Sequence, residues 1–545
     1  VGAVLNRDTS SDRASAGLAL NGAKAGWNWS VIGNAEAARS RTRSDRDDPL
    51  FTRDRAREDI LSADVSALAN GSLFKLPAGD AGLSVRAGLG GIDLDARRIR
   101  LGDTTRTELG RGRANIAANV DLPISRRRRD FDALGDLTLN ANAELQTLSD
   151  FGSLVRVGAG ANWSPLDRVN LLGAWSLEEG APTIQQLGSP VLESPETRLF
   201  DFVRGETVLA TVITGGNAAL DADSRRVLKL GANWQPIKDT DLRFRADFVR
   251  STIERPIQAI FGPTPALEAA FPERFVRDAA GTLISADLRP LNFDRARKDT
   301  LRLGIDFSKP LKSARPSQSV RDQLRAQFGR GRPEGGGESP PRPDAGPPPD
   351  GPPPGGFGGR GGGGGFFGGG NRGRLTFSLT DTITFRDDVR IGPGLPLIDY
   401  LDGDAAGAGG GTPRHRVEAQ AGWANNGLGA RLSANWRSGT RVDSASAGTL
   451  RFSPLATVNL RLFANLGERP ELVLKHPWLR GSSVRLEVDN LFNAKQRVRD
   501  SAGLVPFNYQ ADLIDPLGRT VMISFRKLFL PSFAAMRRER ERDAQ

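Results

Sequence analysis

Apolar and polar residues alternate with a period of two along most of this chain. In Leu242-Arg243-Phe244-Arg245-Ala246-Asp247-Phe248 the apolar residues fall on one face, and Arg243, Arg245 and Asp247 fall on the other. Val484 to Asp489 repeats the arrangement, with Arg485, Glu487 and Asp489 on its polar side. Leu137 to Leu145, Val155 to Trp163, Leu228 to Trp234, Leu301 to Phe307, Val417 to Trp423, Leu428 to Trp436 and Val521 to Phe529 follow the same rule. Successive side chains of a strand point to opposite faces, so each run predicts a strand with one apolar and one polar face. Roughly 17 or 18 such segments of about 9–12 residues are present, the span of a tilted membrane strand. Sustained helical periodicity is almost absent.

The connections sharpen this picture. Tight turns are predicted at Asn21 to Gly26, Leu76 to Asp80, Ser164 to Asp167, Pro236 to Thr240 and Asn425 to Gly427. Long polar loops are predicted near 38–58, 93–108, 178–223, 253–284, 387–412 and 494–516. Short turns at one end and long loops at the other mark an all-β, antiparallel up-and-down transmembrane barrel. Three connections at the short-turn end are longer, near 123–135, 309–373 and 466–482. A soluble β-sandwich also alternates, but three features favour the membrane barrel. Its polar face carries full charges at successive positions. Its apolar face is almost free of charge within strands, Asp381 being an exception. Trp163, Trp234 and Trp423 sit beside short turns and Trp436 near a long-loop end, as interfacial aromatic girdles do.

Composition then excludes several chemistries. The 545 residues include no Cys and two His, so thiolate, iron–sulfur and histidine-built metal or catalytic sites are not expected. No Ser/His/Asp constellation or carboxylate pair has a recognisable spacing, so no enzyme, metal site or cofactor is expected. No run of 18 apolar residues exists, which excludes a membrane helix. The formal net charge of +11 comes from 75 basic and 64 acidic residues, a modest excess on a long chain. Gly359-Arg360-Gly361 and Arg372-Gly373-Arg374 are too few to indicate nucleic-acid binding. Between 329 and 373 lie 20 Gly and 10 Pro, a tract unable to bury enough apolar surface to fold. The predicted organisation is a barrel over 1–308, a disordered insertion over 309–373, a second barrel part over 374–529 and a charged tail over 530–545.

Three stretches resemble the barrel of TonB-dependent outer-membrane receptors. Trp175 to Thr183, followed by Gly215-Gly216-Asn217-Ala218-Ala219-Leu220, is similar to the family's mid-barrel pattern, with Gly216 and Asn217 matching and Ala218 in place of its usual Pro. Val488 to Ala494 resembles the penultimate-strand motif through Asn490, Leu491 and Phe492. Asp515 to Phe529 resembles the closing strand, through Gly518 and the terminal Phe529, although Leu530 to Gln545 extends beyond it. The resemblance implies a barrel of 22 strands with a plugged lumen, of which this chain would supply an incomplete set, the plug and first strands lying upstream of Val1. It implies the Gram-negative outer membrane, with the long loops extracellular and the short turns and the 309–373 tract periplasmic. It also implies active uptake of a siderophore or other large nutrient, with TonB acting through the plug. The polar-face residues Arg243, Arg245, Asp247, Arg485, Glu487 and Asp489 would then line the lumen, guiding a ligand, pairing with a plug or compensating one another. A passive channel and a soluble all-β binding or adhesion protein are the alternative readings.

Overall fold

The computed structural model describes residues 6–45, 53–238, 240–313, 317–320, 322–323, 373–407, 409–444 and 448–528. The expectations for most of the Gly/Pro tract, for Phe529 and for the 530–545 tail lie outside these residues.

Seventeen strands form one antiparallel meander. They are β1 (Arg7–Lys24), β2 (Trp27–Asp45), β3 (Arg53–Leu76), β4 (Gly79–Arg100), β5 (Asp103–Ser125) and β6 (Asp136–Leu148). Then come β7 (Gly152–Ser164), β8 (Val169–Gly180), β9 (Asp223–Trp234), β10 (Asp241–Glu254), β11 (Arg295–Leu311) and β12 (Gly373–Arg390). The last are β13 (His415–Asn425), β14 (Leu428–Arg437), β15 (Leu455–Asn465), β16 (Ser482–Asp489) and β17 (Thr520–Lys527). Each pairs with its sequence neighbours. A three-residue strand, Leu397–Asp399, joins the sheet against β12. Among the described residues no pairing joins β17 to β1, so both are edge strands.

Register carries one face around the wall. A single row runs Trp163, Leu171, Ala232, Ala246, Leu303, Asp381, Val417, Trp436, Ala456. It starts at a short-turn end and finishes at a long-loop end, as expected of strands tilted against the barrel axis. The neighbouring row runs Asn162, Leu172, Gly231, Asp247, Arg302, Thr382, Arg416, Arg437. The first face is apolar and exposed, with Leu230, Leu303, Phe377, Leu432 and Ile523 each more than a third accessible. That inversion of the usual burial rule is what a lipid-facing surface requires.

Four of the five expected short turns are tight connections of two to four residues, and that between β9 and β10 is six residues long. Ala25-Gly26 and Asn426-Gly427 hold positive φ at both positions, the requirement of a type I′ turn that matches strand twist. Of the residues expected in an aromatic girdle, Trp163, Trp234 and Trp423 are 39%, 52% and 40% exposed at this rim, and Trp436 is 38% exposed at the other. Trp27 and Trp29 extend the lower group in β2. Gly22 and Gly71 let them lie flat, because a Cβ there would approach the Trp29 and Trp27 rings to 2.4 and 2.6 Å.

Two expected loops are strand instead. Residues 93–108 form the end of a hairpin turning at Leu101-Gly102, and most of 38–58 belongs to β2 and β3. Arg106 pairs with Asp95 at 2.8 Å, and Arg39 lies 2.5 Å from Asp59, so the polar residues bond across strands rather than marking a break. Strands β2 to β5, of 19 to 24 residues, therefore rise beyond the apolar band.

The two faces can be separated by one paired substitution. Leu432→Arg should destabilise the folded barrel by about 2–4 kcal/mol, the cost of a cation on the lipid face near the bilayer centre. Ser433→Arg, one residue along on the polar face, should cost less than about 1 kcal/mol. Denaturant unfolding in lipid vesicles measures both.

Candidate functional site

The candidate site has two parts: a polar inner wall and a folded cap at the long-loop rim. The side of the sheet that is internal is fixed by a helix. Thr183 caps Ile184–Gly188 through a capping box with Gln186. This helix leaves β8 yet packs on Leu94, Ala96 and Leu109 of β4 and β5, all polar-parity positions. Ser189 donates to Glu58 Oε2 at 2.7 Å, and Arg111 Nη1 donates to the Pro182 carbonyl at 2.7 Å. The loop thus crosses the inside of the wall.

Arg243, Arg245 and Asp247 line an inner cavity of about 710 Å³ together with Asp306, Arg374 and Arg431. Arg243 pairs with Asp241 at 2.9 Å, and Arg245 pairs with Asp306. Arg431 donates to Gln420 at 2.5 Å. The other three expected charges stand apart on β16. Glu487 is buried and lies 3.5 Å from both Arg485 and Arg461, while Asp489 ends the strand opposite Thr520. The six residues share a face but not a site. Most of these contacts are exposed pairs worth about 1 kcal/mol or less, so the wall holds charge without strong fixation.

The cap is built from the five connections 181–222, 255–294, 391–414, 438–454 and 490–519. Four of them were expected only as polar loops, and 438–454 was not expected as a loop. They carry two apolar cores. One joins Val208, Ala210, Leu267, Phe275, Leu283, Phe293 and Ile398 from three connections. The other joins Phe200, Phe202, Ala405, Val442, Leu450, Phe452, Val498 and Tyr509 from four. Phe200 meets Phe202 and Tyr509 edge-on at 4.9 and 4.8 Å, and Tyr509 meets Phe452 at 5.2 Å. Short pairings tie the connections together: 211–213 runs parallel to 285–287, and 451–452 pairs with 498–499.

An ionic cluster locks the first core. Arg277 Nη1 donates to Asp201 Oδ2 at 2.6 Å, and its Nε and Nη2 reach Glu268 at 2.6 Å each. Nη1 also donates to the Gly281 carbonyl at 2.9 Å. The Asp201 side chain is fully buried. Hydrogen bonds to Glu268 and Asp201 hold the Arg277 guanidinium well above its ordinary pKa. Nearby, burial pushes the Asp404 carboxyl up to about 6, aided by the charges of Asp399 and Asp443 and opposed by the hydrogen bond from the Asp399 backbone.

The motif residues act as loop fasteners. Gly216 approaches the helix so closely that a Cβ would lie 2.8 Å from the Leu187 backbone. Asn217 donates its backbone N–H to Gln186 and its side chain to the Pro290 carbonyl at 2.9 Å. Asn490, at φ 50°, accepts from the Ala494 N–H and donates to its carbonyl, both at 2.8 Å. The Leu491 N–H bonds the Val458 carbonyl, whereas Phe492 is 71% exposed. Gly518 takes φ 59° against Asn493. Among the described residues no group of three or more His, Asp or Glu could hold a metal ion.

No family model and no curated protein sequence matches this chain. Solved structures do. The siderophore receptor PirA from Acinetobacter baumannii aligns with a TM-score of 0.54 at 12% identity, over 95% of this chain and 62% of that one. The outer membrane transporter YddB from Escherichia coli aligns at 0.53 and 10% identity, over 95% and 63%. The RagAB peptide transporter aligns at 0.51 and 10% identity, over 95% and 62%. The fold is therefore that of an outer-membrane β-barrel, and this chain spans less than two thirds of the length of each.

Two measurements test the cap. Arg277→Ala leaves the buried Asp201 uncompensated, so local stability should fall by about 3–5 kcal/mol. Hydrogen exchange in 201–214 and 264–287 should accelerate while the strands stay protected. Asp404 binds its proton more tightly folded than at the ordinary value of 3.8, so its contribution to stability is lost as pH rises from 3.8 to about 6. Asp404→Asn keeps an acceptor for the Asp399 N–H. It should remove this dependence, seen as equal exchange protection of 399–407 at about pH 4 and pH 7.

Proposed function

We propose that this chain forms the barrel wall and cap of an outer-membrane receptor for active uptake of a large nutrient. A siderophore is the first class to test, with energy delivered by TonB through a plug. The observation that carries this reading is the cap. Five connections with two apolar cores and a buried ion cluster stand at the mouth of a charged lumen. A passive channel needs an open mouth, and loop-filled apolar cores there reduce it. A receptor needs a fixed surface that holds a scarce ligand until the site rearranges. The likeness to a siderophore receptor and to a peptide transporter supports uptake of a large solute. The reading assigns binding and transport to the chain, with no catalytic step.

The test is accumulation of radio-iron in cells whose only receptor is the full-length protein. The probes are a ferric catecholate, a ferric hydroxamate and a ferric carboxylate chelate. Saturable accumulation of one of them, falling to background when TonB is deleted, is the expected result. Uptake that persists without TonB and rises linearly with concentration would overturn the receptor reading in favour of a passive channel. No accumulation of any chelate would overturn the siderophore assignment.

A further inference from the structure

The lipid-facing wall over β10 to β14 carries a polar ladder that the uptake reading does not use. On the row from Trp163 to Trp436, Asp381 stands between Leu303 and Val417, two strands from Trp436 of the upper girdle. The row above it runs Leu230, Phe248, Leu301, Ile383 and ends at His415, the first residue of β13. His415 Nδ1 lies 3.1 Å from Asp381 Oδ2, and the His415 side chain is 45% exposed. One step further toward the long loops the row is Arg250, Asp299, Arg386.

Charge in that upper row is layered. Arg250 Nε sits 3.2 Å from Asp299, and Arg386 Nε sits 3.2 Å from Asp388. The Asp299 and Asp388 side chains are 13% and 16% exposed, whereas the Arg250 and Arg386 side chains are 57% and 50% exposed. The surface offered outward is thus cationic. Below it, Asp381 fixes one ring nitrogen of His415, which defines the role of the other. An ionisable pair on a lipid face is costly unless it meets a polar group, and this one lies where the apolar band gives way to headgroups.

We propose that Arg250, Arg386 and the His415–Asp381 pair form a binding site for the phosphorylated sugar headgroup of an outer-leaflet glycolipid. Exposed guanidiniums match phosphate oxygens, and a carboxylate-oriented imidazole matches a sugar hydroxyl or a second phosphate oxygen. Trp436 supplies the aromatic surface beside it. The proposal rests on the membrane-barrel reading.

The experiment uses the full-length protein purified from outer membranes in mild detergent, with bound lipid measured by native mass spectrometry. The probes are lipopolysaccharide, dephosphorylated lipopolysaccharide and phosphatidylglycerol. Heat-dependent gel mobility checks that each variant is a folded barrel, and its absence in the unaltered protein would defeat the barrel reading itself. Lipopolysaccharide should bind, and His415→Leu and Arg386→Ala should each weaken it about tenfold, the loss of one charge-assisted hydrogen bond. Arg386→Lys should restore only part of the binding, and dephosphorylation should mimic Arg386→Ala. If His415→Leu fails to fold, His415→Gln in its place should weaken binding less than Arg386→Ala does. Equal binding by folded variants would overturn the site. So would phosphatidylglycerol binding as tightly as lipopolysaccharide, or loss of a co-purifying protein rather than of lipid from His415→Leu.

Discussion

The lateral hydrogen bonding of strand to strand is the constraint on which everything else here depends. Lipid offers no partner for a backbone N–H or carbonyl, so each strand must satisfy both edges against its neighbours. The meander from β1 to β17 does this by pairing every interior strand twice. Once that pairing is fixed, register is fixed with it. A one-residue slip would turn Leu432 inward and Ser433 toward lipid, so the alternation and the hydrogen-bond ladder enforce each other.

A wall built this way has no core of its own, and stability must be placed elsewhere. The apolar residues of the strands face outward, and the inner face is charged. The cap therefore carries the conventional packing: Phe202, Leu283, Leu450 and Val498 are almost wholly buried, and all four lie in connections rather than in the strands of the wall. Packed connections above exposed ion pairs give the wall a shaped entrance. The Asp201–Arg277–Glu268 cluster belongs to that entrance, where a buried ion pair holds loop register more than it adds stability.

The wall was legible in the sequence because its physics is local. Period-two alternation, the Gly-containing turns at Ala25-Gly26 and Asn426-Gly427, and Trp at strand ends all act within a few residues. The count of strands followed directly. The cap was not legible. Phe200, Phe452 and Tyr509 meet across more than 300 residues of chain, and no short window holds that information. The extended hairpins were misread for the opposite reason. Arg39, Asp59, Asp95 and Arg106 look like loop residues one at a time, and become strand residues only through cross-strand partners. Gly216 and Asn217 lay between: their identity was noticeable, but their task of fastening a helix onto β4 and β5 needed the third dimension.

Asp381 shows how position decides the cost of a broken rule. A charge on the lipid face costs about 2–4 kcal/mol at the bilayer midplane and about 0–1 near the interface, least for a carboxylate. Asp381 shares its row with Trp436, two strands away, and that row climbs from the lower rim at Trp163. It therefore stands on the upper part of the band, where the cost is small. His415 reduces it further by pairing, and the register permits that pairing only because β13 starts at His415, opposite Ile383. Moved four residues down β12, to the position of Phe377, the same carboxylate would face Phe307 and Ala421 near the middle of the band, with no polar partner opposite it. The exception in the alternation thus obeys the same depth dependence that makes the rest of the apolar face apolar.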